Sequence, residues 1–171
     1  KLSAKNQEYY ENYGIQINSS LIAIENTSNP FSYKFKTHIL SVKGDYSFEN
    51  TAIKGNIVLP SNLEKIGRYA FSKCPNLSGS LVVPEKVKVI SQYAFSDCGF
   101  NGTLSLPEGL VEIASSAFAN TQFKGELNIP SSVKVIGSRA FCNTLFSGTL
   151  LLPSELLSLG ASAFAGCWRL S

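Results

Sequence analysis

Residues able to do chemistry are few in this chain, and their spacing suits none of the common reactions. The single histidine, His38, lies beside Lys36 and Thr37 and reads as a surface or hydrogen-bonded residue rather than a general base. No Ser or Cys is placed with it as nucleophile to base. The acidic residues are scattered, with no pair recurring at facing positions as acid–base catalysis would need. The glycines recur at the spacing of turns and do not gather into a phosphate loop. Cys74, Cys98, Cys142 and Cys167 include no close pair with metal-ligand spacing. The chain is therefore expected to be no enzyme, with no catalytic residue, no metal site and no cofactor.

Composition narrows the remaining classes. The 171 residues are 44% hydrophobic and 16% charged, which suits one packed domain with or without a cap and argues against disorder. Residues 1–53 carry five basic and five acidic side chains, and the rest carry ten against seven. With no stripe of like charge, no nucleic-acid partner is expected. No apolar run is long enough to cross a bilayer, so no membrane insertion is expected in this segment. No signal peptide or lipidation motif is present and there is no Met, so a chain opening at Lys1 reads as a processed or partial product. Four N-x-Ser/Thr sequons, at Asn18, Asn26, Asn76 and Asn101, are close to the chance number and decide nothing.

The elements that position these residues are written as a repeat. Five segments align: Gly55 to Pro60, Gly79 to Pro84, Gly102 to Pro107, Gly125 to Pro130 and Gly148 to Pro153. Successive prolines are 24, 23, 23 and 23 residues apart, as are the Ala-Phe pairs ending in Phe71, Phe95, Phe118, Phe141 and Phe164. The extra residue of the first coil falls in the loop Cys74-Pro75-Asn76-Leu77. Each Gly-x-Leu-x-Leu stretch alternates like a short strand, and the proline that follows, lacking an amide hydrogen, stops the parallel ladder there. Leu63, Val87, Leu110, Val133 and Leu156, with Ile66, Ile90, Ile113, Ile136 and Leu159, pin the return leg to the core. A small residue follows in most coils, Ser91 being the exception. A single turn carrying Ala-Phe should close each coil, as 3₁₀ because it is too short for a stable α-helix.

Stacked coils place equivalent residues about 4.8 Å apart, and stability comes from neighbours because one coil cannot bury its own apolar side. The aromatic row Phe48, Phe71, Phe95, Phe118, Phe141 and Phe164, with Phe100, Phe123 and Phe146 in the loops, is core in this reading rather than a ligand platform. Cys74, Cys98 and Cys167 share one repeat position with Thr121 and Thr144. They read as small buried thiols, although the register also brings Cys74 and Cys98 within reach of a disulfide.

The segment Ile129-Pro-Ser-Ser-Val-Lys-Val-Ile-Gly-Ser-Arg-Ala-Phe-Cys142 resembles the BspA-like class of leucine-rich repeats, and five copies carry the pattern over about residues 55–171. The resemblance implies a leucine-rich-repeat solenoid: a parallel β ladder on one face, short extended segments and 3₁₀ or α turns on the other, and low helix content. It also implies a cell-surface or secreted protein used in adhesion. Thr121 and Thr144 at the Cys position, and a Gly opening each strand, depart from the class pattern.

Phe48 lies 23 residues before Phe71, so a degenerate coil precedes the five. Residues 46–171 are assigned to the solenoid and residues 1–45 to an N-terminal cap, with a short helix over Ser3 to Tyr13 and strand-like alternation at Ile15 and Ile17 and from Phe31 through Tyr33 to Phe35. At the other end, Cys167 to Ser171 stop where another strand would begin, so either more chain follows or this end contacts another subunit.

The candidate partner-binding residues are the outward rows of the Gly-x-Leu-x-Leu strands. These are Asn56, Ser80, Thr103, Glu126 and Thr149, then Val58, Val82, Ser105, Asn128 and Leu151. They vary from coil to coil while the inward positions do not. The expected function is a non-catalytic module binding a protein or a glycan. The alternative is a structural scaffold whose solenoid ends or sheet face pack on other chains.

Overall fold

The computed structural model describes residues 45–51 and 53–171, together with the backbone of two short strands upstream. His38, the helix expected over Ser3 to Tyr13 and the alternation at Ile15 and Ile17 lie outside the described residues. Nine short strands follow in order: β1 (Glu25–Asn26), β2 (Ser32–Lys34), β3 (Asn56–Val58), β4 (Leu81–Val82), β5 (Val89–Ile90), β6 (Leu104–Ser105), β7 (Glu112–Ile113), β8 (Val135–Ile136) and β9 (Ser158–Leu159). Among the described residues there is no helix. The coils stack as a right-through series in which each leg meets its counterpart one repeat later, and every strand pair from β2 onward is parallel.

The core is what the repeat demands. Phe71, Phe95, Phe118 and Phe141 are fully buried and stack in one column, with centroids 5.3, 5.6 and 5.5 Å apart. Phe100, Phe123 and Phe146 form a second buried column that meets the first edge-on. Offset stacking and edge-to-face contact are the arrangements that ring quadrupoles favour. Leu63, Val87, Leu110 and Val133 are buried beneath them, as are Ile66, Ile90, Ile113 and Ile136. In the last coil Leu156 is only partly buried and Leu159 is exposed, since no described coil lies over them.

Hydrogen bonding is distributed differently from the expected single ladder. The continuous sheet is on the return leg, in the order β5-β7-β8-β9, extended by a bridge from Ile66 to Ile90. The Val-Ile pairs of β5 and β8 suit strands because β-branched side chains pack well on a pleated surface. Along the Gly-x-Leu-x-Leu leg β2 pairs with β3, and β4 with β6, while the later coils are joined there mainly at the opening glycine, as by Lys124 N–H to Gly102 O and Ser147 N–H to Gly125 O.

The Ala-Phe segments are not the expected 3₁₀ turns. Each begins and ends on a left-handed residue, as at Tyr69 (φ 56°) and Lys73 (φ 57°), or Ser116 (φ 54°) and Asn120 (φ 58°). Alternate amides consequently face the next coil: Tyr69, Phe71 and Lys73 donate to Gln92, Ala94 and Ser96 carbonyls at 3.0, 2.8 and 2.8 Å. A 3₁₀ run would spend those amides inside its own turn. Left-handed geometry costs a non-glycine residue about 1–2 kcal/mol, and three bonds per coil step offset it. Asn50, Asp97, Asn120 and Asn143 fill the closing position, where short polar side chains tolerate such φ values. Their side chains bond along the stack, Asn120 Nδ2 to Asp97 Oδ1 at 2.8 Å and Asn143 Nδ2 to Asn120 Oδ1 at 2.9 Å.

Close approach explains two glycines. A Cβ on Gly137 would sit 2.4 Å from Ser115 N, and one on Gly160 would sit 2.2 Å from Ser138 N. Ser91, which breaks the small-residue row, turns its hydroxyl to the Ile66 carbonyl of the preceding coil.

Candidate functional site

All ten outward residues of the Gly-x-Leu-x-Leu leg are exposed: Asn56, Ser80, Thr103, Glu126, Thr149, Val58, Val82, Ser105, Asn128 and Leu151. Alternation places them there, because successive side chains of a strand point to opposite faces. The two rows are not equivalent. In the first, Ser80 Oγ accepts from the Thr103 amide at 2.9 Å and from its hydroxyl at 3.0 Å. Asn56 leans over Gly79, where any Cβ would meet its Oδ1. These side chains hold one coil to the next.

The second row is free of such duties and ends in exposed aliphatics, with Val58, Val82 and Leu151 at 52%, 64% and 73% exposure. In its middle, between the third and fourth coils, lies a cleft of about 500 Å³ flanked by Leu104, Ser105, Leu106, Glu108, Asn128, Ile129, Pro130 and Ser131. Between the second and third coils, Leu81 and Val83 amides donate to Thr103 and Ser105 carbonyls, both at 2.9 Å. No backbone bond joins the equivalent amides to the next coil at the other steps, Ile57 and Leu59, Leu104 and Leu106, or Leu127 and Ile129. Burial falls along the leg: Leu59 and Val83 are buried, Leu106 and Ile129 partly so, and Leu152 is exposed.

Of the expected site residues, Ser105 and Asn128 line this cleft. Glu108, Leu106, Ile129 and Ser131 were not anticipated. Their repeat positions are legible, but which coil pair opens is not written in any one coil. The cleft combines amide donors, hydroxyls, one carboxylate and an aliphatic floor, which suits hydrogen bonding to a polar backbone or hydroxylated surface and has no nucleophile–base pair. Among the described residues no group of three His, Cys, Asp or Glu could hold a metal ion. No described helix is long and apolar enough to cross a membrane.

A second surface gathers at the last coil. Leu151, Leu152, Leu157, Leu159 and Trp168 are all exposed, and Arg169 lies over the Trp168 ring at 4.6 Å. Lys134 of the fourth coil pairs with Glu155 of the fifth, and that bond holds the Glu155 carboxyl below its usual range.

Comparison with known proteins agrees with this architecture. Residues 41–171 match six copies of the BspA type leucine rich repeat region. The crystal structure of a leucine-rich repeat protein from Bacteroides ovatus ATCC 8483 superposes with a TM-score of 0.71 at 29% identity, covering 84% of this chain and 39% of that one. The chain thus spans about two fifths of the length of that relative. No curated protein matches the chain.

Proposed function

Because the chain belongs to the BspA-type leucine-rich-repeat family, a family of protein-interaction modules, we propose that it is a non-catalytic binding module of a cell-surface or secreted adhesin-like protein. It holds a protein partner against the Gly-x-Leu-x-Leu face, with the cleft between the third and fourth coils at the centre of the contact. The observation that carries this reading is the coincidence of that cleft with the exposed row Val58, Val82, Ser105, Asn128 and Leu151. Open strand amides beside exposed aliphatic side chains are what an extended segment of another protein uses for main-chain pairing and side-chain anchoring.

The test uses the full chain, applied to a panel of immobilised extracellular-matrix proteins and to intact host cells. The combined variant Val58→Lys, Val82→Lys, Ser105→Lys and Asn128→Lys should lower retention by tenfold or more (on the order of one buried contact region, about 1.4 kcal/mol) while its thermal melt stays unchanged. Equal retention of a folded variant removes this face. Absence of any retention of the parent chain overturns the adhesin reading. Protease treatment of intact producing cells, followed by antibody detection, checks location: a signal that survives until the cells are permeabilised excludes the surface.

One observation favours a second reading, a scaffold that contacts other chains through its last coil. Five large apolar residues are exposed there, and residues 144–171 carry only Glu155 and Arg169 as charges. Light scattering decides it: concentration-dependent association that Leu157→Glu and Leu159→Glu abolish supports the scaffold, and a monomer at all concentrations removes it.

A further inference from the structure

Three tyrosines hold the left-handed position that opens the Ala-Phe leg of successive coils. Tyr46, Tyr69 and Tyr93 have φ values of 66°, 56° and 55°. Their rings stack at 4.8 and 4.7 Å, within 9° and 10° of parallel. The row lies at the surface, with Tyr46 exposed and Tyr69 and Tyr93 half-buried.

The backbone does not call for these rings. The later coils place Ser116, Arg139 and Ser162 at the same position, with φ of 54°, 56° and 59°. Their amides bond in the same way: Tyr69, Tyr93, Ser116 and Arg139 donate to Gln92, Ser115, Ser138 and Ala161 carbonyls at 3.0, 3.0, 2.9 and 3.0 Å. A serine therefore satisfies the turn as well as a tyrosine does, and bulky residues are uncommon in this region of backbone space. What the rings add is at the surface.

The stack ends with one ring face uncovered. Tyr69 lies between Tyr46 and Tyr93, whereas Tyr93 has a ring, that of Tyr69, on one face only. On its other side Ser116 is buried, at 5% exposure, and does not reach the surface. The next exposed side chain of the row is Arg139, two coils beyond Tyr93. Arg139 makes no ion pair or side-chain hydrogen bond among the described residues, while Arg68 bonds Gln92 and Arg169 lies over Trp168. Tyr93 and Arg139 thus bound a rung of the ladder that this chain leaves without a ring.

The dimensions select the occupant. With coils about 4.8 Å apart, a ring in this rung would lie about one coil step from Tyr93 and another from the Arg139 guanidinium. Aromatic pairs prefer centroid separations of about 4.5–7 Å, and a guanidinium is attracted to a ring face within about 6 Å. One aromatic ring meets both conditions. The cation favours an electron-rich face, indole best of all and phenol next. Trp, Tyr and Arg are also the residues enriched at the energetic centres of protein interfaces.

We propose that Tyr93 and Arg139 form a binding site for an aromatic side chain, Trp or Tyr, of a protein partner, which enters the rung above Ser116 and continues the tyrosine stack. Tyr46 and Tyr69 back the Tyr93 ring and hold its plane. The site is on the Ala-Phe leg, away from the Gly-x-Leu-x-Leu face, and stands whether or not that face binds.

The experiment uses the full chain, isotope-labelled in its tyrosine rings and arginine side chains, and titrates it with N-acetyltryptophanamide under NMR, with N-acetylleucinamide in parallel. The tryptophan amide should shift the Tyr93 and Arg139 signals together and saturably, and the leucine amide should not. Ser116→Tyr supplies the missing ring from the chain itself, at a φ that Tyr69 and Tyr93 already adopt, and should weaken binding about tenfold or more. Tyr93→Ser, read at Arg139, and Arg139→Gln, read at Tyr93, should each weaken it about threefold or more with unchanged thermal melts. Those two variants decide the matter if Ser116→Tyr fails to fold. The absence of a saturable shift at Tyr93 and Arg139, an equal response to the leucine amide, or undiminished binding by folded variants would each overturn the proposal.

Discussion

Replacing Phe118 by Ala removes a fully buried ring from the middle of the aromatic column. The ring stacks on Phe95 and Phe141 at 5.6 and 5.5 Å and meets Phe123 edge-on at 6.2 Å. Truncating a buried Phe costs about 3–5 kcal/mol once the cavity is included, and the loss of ring contacts on three sides places this position near the top, at about 5 kcal/mol. That is a large part of the roughly 5–15 kcal/mol by which a domain is stable, so Phe118→Leu, at about 1–2 kcal/mol, provides a milder partner variant. Phe164 occupies the same repeat position but is only partly buried and stacks on one ring, Phe141, at 5.4 Å. With one neighbour in place of three, Phe164→Ala should cost about 1–2 kcal/mol and loosen the last coil alone. In a stack whose stability is a sum of coil and neighbour contributions, the two substitutions therefore differ several-fold. Urea denaturation followed by circular dichroism gives the two values, and hydrogen exchange shows where protection is lost. Equal costs at positions 118 and 164, or loss of protection throughout the chain in Phe164→Ala, would refute the nearest-neighbour reasoning.

The glycines make a second set of tests. Gly137→Ala drives a Cβ against the Ser115 backbone at 2.4 Å and should lower stability by about 1–3 kcal/mol. Gly109→Ala meets only the Lys88 ammonium, which can swing away, and should change stability by less than about 0.5 kcal/mol in thermal melts. The Glu155 carboxyl, lowered by its bond from Lys134, should titrate below a free glutamate by NMR and return to the usual range in Lys134→Met. Since its folded value is depressed, its contribution is complete above the unfolded carboxyl range and disappears as pH falls through the lowered value. An unshifted Glu155 titration in Lys134→Met contradicts the bond assigned to it.

Much of the architecture is legible in single coils. The buried phenylalanine columns and the Leu/Val and Ile rows follow directly from residue types recurring at one spacing, because burial at a repeated position is a property of each coil. The outward exposure of all ten candidate residues follows from alternation in the same way. The expected 3₁₀ turn was the local answer for a short Ala-Phe segment, and it lost to the inter-coil bonds of Tyr69, Phe71 and Lys73, which compete for the same amides. The cleft was legible only in part: Ser105 and Asn128 point outward by parity, but Glu108 and Ser131 join them only through the way the third and fourth coils stack.

The sequence by itself determined the coil period, the side that faces inward at each position and the family resemblance. These depend on chemistry carried within about 23 residues of chain. Only the tertiary structure decided which leg carries the continuous ladder, and that on the opposite leg the second and third coils are strand-paired while the third and fourth leave a cleft. Such features turn on which amide meets which carbonyl in the next coil, and fractions of an ångström between stacked coils decide it.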